Sequence, residues 1–268
     1  MQKANKYGKI TLSVYAKEEK AVPKDVFIFK RVEKKYFLDE EKKSALLSLI
    51  SEYLTPDEHG LSTVCNLYLD TPSFLLIRNS IDARTYKEKL RVRSYGRVDD
   101  DSKVFFEIKK KFKGVVYKRR AKMTYREVME YIYEGKRPFD SQIMRELDWT
   151  MKFYGQPKPA VALYYDREAY YVKDMPALRI TFDSRPRYRD ERVCLKEETN
   201  GKLIIDESKI VMEIKTDGAM PLWLSAALDT LKIYPSSFSK YGTAYRDICK
   251  NEKINNKENL LWASSFSQ

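Results

Sequence analysis

Basic side chains recur at every second position in several segments of this sequence. In YKEKLRVRSYG, residues 86–96, the cations are Lys87, Lys89, Arg91 and Arg93. Because strand side chains alternate between the two faces of a sheet, all four would point the same way. Such a row is either the water-facing side of an ordinary strand or a surface that binds an anion.

The same alternation appears in other segments, and this repetition favours the anion-binding interpretation. A water-facing sheet usually mixes the two signs so that neighbours pair, whereas these rows are mostly cationic. Faces that point inward would need water or a polyanion between them, since isolated buried charge is costly. The further rows are Glu33 with Lys35; Glu107 with Lys109 and Lys111; Lys118 with Arg120 and Lys122; Arg167; Arg179 with Asp183; and Glu213 with Lys215.

The residue types in these rows are those that phosphoryl transfer needs. Each hydrogen bond from Arg or Lys to a phosphate contributes roughly 1.5–3 kcal/mol. Glutamates among the cations could hold a divalent metal, which takes carboxylate and phosphate oxygens together. The sequence contains neither G-x-x-x-x-G-K-[ST] nor G-x-G-x-x-G, so a P-loop or protein-kinase mechanism is unsupported.

Composition agrees with an anionic ligand. Lys and Arg number 51 against 39 Asp and Glu, a formal net charge of +12. The single histidine, His59, lies in a predicted surface loop, which argues against a histidine base or a histidine-rich metal site.

Cysteine usage predicts a cytoplasmic protein. The three cysteines, Cys65, Cys194 and Cys249, show neither paired nor metal-binding spacing, which favours a reducing compartment. No apolar run approaches the ~18 residues of a transmembrane helix, and the N-terminal residues lack the apolar block of a signal peptide.

Periodicity predicts an α+β fold in which an antiparallel sheet closes into a β-barrel with helices packed outside. Asp39 is predicted to cap the first helix, and Thr124 with Glu127 to form a capping box. The predicted helices cover 40–54, 74–83, 125–135, 140–154 and 221–233. The predicted strands cover 26–38, 62–70, 84–95, 103–112, 115–125, 159–172, 177–184, 192–196 and one or two within 203–216.

Domain organisation is predicted to be simple, because no internal repeat and no linker rich in Pro, Gly or Ser divides the chain. We expect a flexible N-terminal arm over residues 1–25, one domain over 26–250 and a C-terminal tail over 251–268.

Eight motifs in order resemble the catalytic domain of the vacuolar transporter chaperone (VTC) polyphosphate polymerases, members of the CYTH-like triphosphate tunnel metalloenzymes. Each motif is weak alone, but their order over residues 29–245 is specific. The motifs are FKRVEKKYFL, YKEKLRVRSYG, FFEIKKKF, VVYKRRAKM, ALYYDREAY, LRITFDS, IVMEIKT and SSFSKYGTAY.

The resemblance implies a tunnel that binds triphosphate and polyphosphate and moves the γ-phosphate of ATP onto a growing polyphosphate chain, with Mn²⁺ or Mg²⁺. It implies that Glu213 binds the metal, with Glu107 and Glu33 as further candidates. Lys89, Lys215 and Ser239 are expected to bind substrate. The basic tunnel residues carried over are Lys35, Arg91, Arg93, Lys109, Arg167, Arg179 and Lys240, together with Lys118 or Arg120 from YKRR.

One departure from the wider superfamily bears on the reaction. Its opening E-x-E-x-K strand here has Arg31, Glu33 and Lys35, so the first glutamate is missing. This loss resembles the polymerase branch and argues against a two-metal triphosphatase site.

Other functions remain open at this stage. An inorganic triphosphatase or a non-catalytic polyphosphate sensor would use the same tunnel. A single-stranded RNA-binding module would also carry basic rows, but its aromatic residues should share the basic face, and here they mostly fall opposite. The expected partners are therefore ATP, triphosphate and polyphosphate rather than nucleic acid, and a membrane-protein partner is left open.

Overall fold

A computed structural model describes residues 32–83, 85–113 and 115–251. The predicted arm over residues 1–25 lies outside this part of the chain, as does the predicted tail apart from residue 251. Residues 26–31 of the first predicted strand and Gly114 of a predicted hairpin turn also lie outside it.

The described strands form one antiparallel sheet. Their order is β11-β1-β10-β8-β7-β3-β4-β5-β6, with β2 paired to β7 and β9 paired to β8. The strands are β1 (Val32–Leu38), β2 (Leu54–Pro56), β3 (Ser62–Asp70), β4 (Tyr86–Tyr95), β5 (Lys103–Phe112), β6 (Val115–Thr124), β7 (Lys158–Val172), β8 (Met175–Arg189), β9 (Lys202–Leu203), β10 (Ile210–Thr216) and β11 (Pro235–Ser236).

Six helices accompany this sheet in the described ranges. The predicted caps are confirmed, since Asp39 Oδ1 accepts from the Lys42 amide at 2.8 Å and Thr124 forms a capping box with Glu127. The helices are α1 (Glu40–Ile50), α2 (Leu75–Asp82), α3 (Tyr125–Glu134), α4 (Gln142–Phe153), α5 (Leu222–Thr230) and α6 (240–251).

The sheet curls strongly, although its backbone pairing is open. The strand order ends at β11 and β6, and the described residues show no pairing that joins these ends, so the predicted closed barrel is not confirmed. Yet Lys109 Nζ on β5 lies 3.5 Å from Glu33 Oε2 on β1, six strand positions away. In a flat sheet, strands that far apart would be separated by roughly 29 Å, because neighbours lie about 4.8 Å apart. The two side chains therefore meet across a concave face.

Apolar packing explains why the charged rows face inward. On β4 and β5 the alternate residues Leu90, Val92, Phe106 and Ile108 are buried in a cluster with α3 and α4. A second cluster joins β1, β8 and β10 to α1 and α5. Since helices cover the outer face of both groups of strands, the basic rows, which alternate with the apolar residues, lie on the concave side.

Helix α6 packs against part of the concave face. Tyr241, Ala244 and Ile248 lie on one side of this helix and are buried against residues of β3 and β7, among them Val64 and Leu163. Its N-terminus thereby enters the space between the charged rows.

The strand predicted over 192–196 is wrong. Arg192 has φ 44°, a left-handed conformation that interrupts an extended chain. The backbone of Leu195 instead bonds to the amide of Val98 at 3.3 Å and to the hydroxyl of Tyr125 at 3.3 Å. This segment is a loop in which only Leu195 is buried, and the alternating apolar residues Val193 and Leu195 resemble a strand pattern.

Within the described ranges, no helix has the length and apolar character required to span a membrane.

Candidate anion-binding site

The concave face brings together basic side chains in excess of carboxylates, a set we call the basic lining. Among the described residues, nine cations face four acids, a surplus of five positive charges when all are ionised. The basic lining comprises Lys35, Lys89, Arg91, Arg93, Lys109, Lys118, Arg167, Lys215 and Lys240 with Glu33, Glu107, Asp183 and Glu213.

Asp183 organises one side of the concave face, or wall, which is formed by β7, β8 and the N-terminus of α6. Its side chain is fully buried and receives Arg167 Nε at 2.6 Å, Arg167 Nη2 at 2.7 Å and Lys240 Nζ at 2.5 Å. Burial alone would raise the pKa of this carboxyl, but Lys240 and Arg167 hold the pKa below its usual range. Burial likewise disfavours the charged form of Lys240, yet Asp183 and Glu213 raise its pKa above the usual value.

Glu213 lies beside Asp183, among four cations. Lys215 Nζ is 3.2 Å from its Oε2, and Lys35 Nζ is 3.8 Å from its Oε1. Lys35 also lies 3.5 Å from Glu33 Oε1 and donates to the Phe238 carbonyl at 2.8 Å. Burial opposes ionisation of Glu213, but the neighbouring cations, Lys215 first, hold its pKa well below the usual range. For Glu33 the same balance lowers the pKa to about 2, with Lys109 the strongest favourable charge.

Glu107 organises the opposite wall. It is 1% exposed; its Oε2 accepts from Arg91 Nε at 2.8 Å, and its Oε1 forms an ion pair with Lys118 Nζ at 2.6 Å. Burial would raise its pKa, but the Arg91, Arg93 and Lys118 charges hold it well below the usual range. With both oxygens taken, Glu107 is better placed to orient Arg91 than to bind a metal.

Arg93 differs from the other buried cations. Its guanidinium is 8% exposed and donates to Asn66 Oδ1 at 2.8 and 2.9 Å and to the Tyr165 hydroxyl at 3.0 Å. Within the described residues, these partners are neutral, so no carboxylate neutralises Arg93 directly. An anion in the concavity would find in Arg93 a fixed guanidinium without an ion-pair partner, whose Nη1 group takes no part in these bonds.

The N-terminus of α6 adds a further anion-binding feature. Ser239 Oγ accepts from the Gly242 amide at 3.1 Å, as a helix N-cap does, and from Lys89 Nζ at 3.1 Å. Helix N-termini carry partial positive charge and favour phosphate groups. Lys89 and Ser239, both expected to bind substrate, are therefore in direct contact.

Two predicted tunnel residues lie elsewhere. Arg179 Nη2 donates to Asp57 Oδ2 at 2.8 Å and its guanidinium stacks on Tyr171, since Asp57 supplies a nearer carboxylate than the basic lining does. Arg120 is exposed, with its guanidinium carbon 4.7 Å from the centroid of the Phe105 ring. Of the two candidates in YKRR, Lys118 therefore enters the basic lining and Arg120 does not.

Several residues of the site carry no signal in the charge pattern. Asp183 shares a face with Arg179 in LRITFD, but nothing in the sequence shows that Arg167 and Lys240 converge on it. Asn66, Tyr68 and Tyr165 are neutral, and their contacts with arginines depend on strand pairing far apart in the chain.

A metal site made by protein side chains alone is not found: among the described residues, no three His, Cys, Asp or Glu side chains come together to hold an ion. Glu33 and Glu213 nevertheless lie close enough to share Lys35. One or two carboxylates completed by phosphate oxygens is a common donor set for Mg²⁺. The donor set therefore fits a divalent ion that arrives with a phosphate ligand, and it does not fit a resident protein-only site.

The basic lining predicts that anion affinity falls as pH rises from 7 to 9. Burial, helped by neighbouring cations, lowers the pKa of Lys89 to about 8 and that of Lys118 to about 8. Both ammonium groups are charged below this value and lose their protons above it. Loss of one charge-assisted bond of roughly 1.5–3 kcal/mol predicts an approximately 10-fold or larger loss of inorganic triphosphate affinity, measured by calorimetry.

The double variant Lys89→Arg/Lys118→Arg is the matched control for this pH dependence. Arginine stays protonated throughout the range, so its affinity should follow only the ionisation of the ligand itself. Identical pH profiles for wild type and variant would contradict the assignment of this dependence to the two lysines.

The VTC domain family model matches residues 30–248 of the chain. No curated protein matches the sequence of this chain. Among solved structures, a "putative adenylate cyclase" from Bacillus halodurans is 14% identical with a TM-score of 0.49, covering 78% of this chain and 95% of its own. A "putative adenylyl cyclase" from Hippeastrum, reported to have a dominant triphosphatase activity, is 16% identical with a TM-score of 0.48, covering 79% and 93%.

Proposed function

This chain belongs to the VTC domain family, and from that premise we propose that it is a metal-dependent phosphoryl transferase that synthesises polyphosphate from ATP. The observation that carries the proposal is the surplus of positive charge on the concave face, with Arg93 neutralised by no carboxylate of the described residues. A chain of phosphates would supply the missing negative charge.

The basic lining divides into two roles in this reaction. Arg91 and Arg93 hold the transferred phosphoryl group in place, oriented by Glu107 and Asn66. Lys240 and the N-terminus of α6 hold the neighbouring phosphate from the opposite wall. The acceptor is the terminal oxygen of polyphosphate, which is already anionic, so no protein nucleophile is required. This oxygen bonds to the γ-phosphorus of ATP as the bond from that phosphorus to the β–γ bridging oxygen breaks, and ADP leaves. Catalysis then rests on positioning and on charge already arranged for the transition state.

Glu213, with Glu33 beside it, would hold Mn²⁺ or Mg²⁺ together with phosphate oxygens. The ion would supply further charge neutralisation on the phosphates. Closure of the curled sheet into a tunnel is part of the same proposal, supported by the contact of Lys109 with Glu33 across the concave face.

Three further expectations remain part of the proposal. A single domain over residues 26–250 is supported by one continuous sheet across the described part of this range. A cytoplasmic location is supported by three free cysteines. Binding of single-stranded RNA is not favoured, because Tyr68 and Tyr165, the rings that contact Arg91 and Arg93, are buried and offer no face to successive bases.

The test of the function is direct. The purified protein is incubated with ATP and Mn²⁺, and the products are separated on a gel that resolves polyphosphate lengths while released phosphate is measured. Long polyphosphate that is absent with the variant Arg91→Ala/Arg93→Ala supports synthesis. Released phosphate without polymer supports a triphosphatase instead. If neither polymer nor released phosphate is formed, both activities are ruled out.

Replacement of Glu213 by glutamine is expected to separate metal-dependent turnover from phosphate binding. The variant loses a carboxylate ligand, so turnover should fall by about 100-fold or more. Metal-free binding of inorganic triphosphate should stay equal or become tighter, because Lys35, Lys215 and Lys240 lose a competing anion. Turnover is measured by the formation of ADP from ATP and binding by calorimetry. The exposed Glu41→Gln variant on α1 serves as the control. Equal losses of turnover and metal-free binding would contradict a metal-binding role.

A further inference from the structure

Three side chains at one end of the concave face have no part in the basic lining: Tyr95, Phe105 and Arg120. Tyr95 follows Arg93 by two positions on β4, which places it on the same face roughly 7 Å further along the strand. Phe105 on β5 lies directly opposite Arg93 in the strand register. The group therefore continues the arginine row toward the end of the concavity.

This group has the geometry of a stacking platform. The rings of Tyr95 and Phe105 meet edge to face, with centroids 6.4 Å apart and planes at 83°. The Arg120 guanidinium lies over Phe105 at 4.7 Å and forms no ion pair with a described residue. Tyr95 is 57% exposed, so much of its ring is open to a ligand. Phe105 is half-buried, so Tyr95 is the more accessible of the two rings.

A nucleobase matches this chemistry. It is flat and stacks on aromatic rings and on guanidinium planes, which accept any base because each base has a π face. The phosphates of the same nucleotide would extend toward Arg93. This residue lies two positions before Tyr95 on β4 and directly opposite Phe105 on β5.

We propose that Tyr95, Phe105 and Arg120 form a nucleobase subsite that holds the base of a nucleoside triphosphate while Arg91 and Arg93 hold its phosphates. The inference rests on the proposed function, because it assumes that the basic lining binds the triphosphate group. It assigns a role to Arg120, which the strand pattern places in the tunnel and the structure places at this platform. It also predicts tolerance between ATP and GTP, because stacking does not read the edges of a base.

The test compares two ligands that differ by a nucleoside. Calorimetry measures the binding of ATP and of inorganic triphosphate to the wild type and to Tyr95→Ala. The variant should lose about 5- to 150-fold in ATP affinity, the range measured for loss of one base stack, while its affinity for inorganic triphosphate stays within about twofold. Arg120→Gln should lower ATP affinity selectively in the same way, and Tyr95→Trp should retain it.

Trp149→Ala, which removes an exposed ring from the convex side on α4, is the matched control and should bind both ligands as the wild type does. An equal change in the binding of both ligands, or no change in either, would overturn the subsite. If the wild type binds neither ligand, the proposed function fails first and the subsite falls with it. If the wild type binds both but Tyr95→Ala keeps their affinity ratio, only the subsite fails.

Discussion

Replacement of Arg93 by methionine is expected to remove tight triphosphate binding while leaving the fold nearly as stable as before. The Nη1 group, which takes no part in the bonds to Asn66 and Tyr165, can donate two charge-assisted bonds to phosphate oxygens. Each is worth roughly 1.5–3 kcal/mol, so a loss of at least about 100-fold in affinity follows. The folded protein loses little, because the bonds of Arg93 to Asn66 and Tyr165 are offset by the removal of a buried cation from a surplus of positive charge.

Thermal unfolding with and without inorganic triphosphate measures both effects. A ligand at 100 times its Kd stabilises the wild type by about 2.7 kcal/mol, and the variant should show almost none of this gain. Arg93→Lys keeps the charge but loses the planar guanidinium, so its stabilisation by triphosphate should lie between those of the wild type and Arg93→Met. Arg145→Met, at an exposed position on α4, serves as the control. A variant that still gains the full stabilisation by triphosphate would refute the central role of Arg93.

The sequence predicts the two faces of each strand well, because alternation with period two is a local property. Leu90 and Val92 could be assigned to the core and Arg91 and Arg93 to one common face without knowledge of the fold. Whether that face was wet or enclosed could not be decided from one strand. The curl of the whole sheet makes this face concave, since Glu33 and Lys109 lie in contact although they are far apart in both sequence and strand order.

Side-chain direction at the strand ends was the least predictable part of the site. Arg179 and Lys215 occupy paired positions in neighbouring strands, yet Arg179 turns away because Asp57, from a loop more than a hundred residues earlier, offers a carboxylate. Such a choice depends on a partner that periodicity does not locate. The loop around Leu195 is wrongly predicted as a strand for a related reason. The backbone of Leu195 bonds to Val98 and Tyr125, which are far away in the sequence.

The carboxylates of the basic lining act as internal counter-ions. Asp183, Glu213 and Glu107 each bind cations that would otherwise repel one another, and this keeps the concave face folded without a ligand. Because the cations still outnumber the acids, an incoming anion relieves repulsion that remains. Removing one buried acid should therefore destabilise the free protein. It should also increase the stabilisation that the protein gains when an anion binds.

Asp183→Asn is expected to show this most strongly. The substitution keeps the shape of the side chain but leaves Arg167 and Lys240 without their shared anion, and breaking a buried ion pair in this way costs about 3–5 kcal/mol. Denaturant unfolding should report this loss. Inorganic triphosphate should then stabilise the variant more than the wild type, because its phosphates replace the missing charge.

Acid titration adds an independent measurement of the same group. Because the pKa of Asp183 is lowered from the model-compound value of 3.8, its stabilisation is present above that value and is lost as pH falls through the folded-state pKa. The wild type should lose stability below about pH 4 more steeply than Asp183→Asn does. Asp101→Asn, in an exposed loop, should follow the wild type. A variant at Asp183 with wild-type stability and no added response to triphosphate would show that Arg167 and Lys240 need no internal counter-ion. The wild type would then lose its stability in acid through other carboxylates.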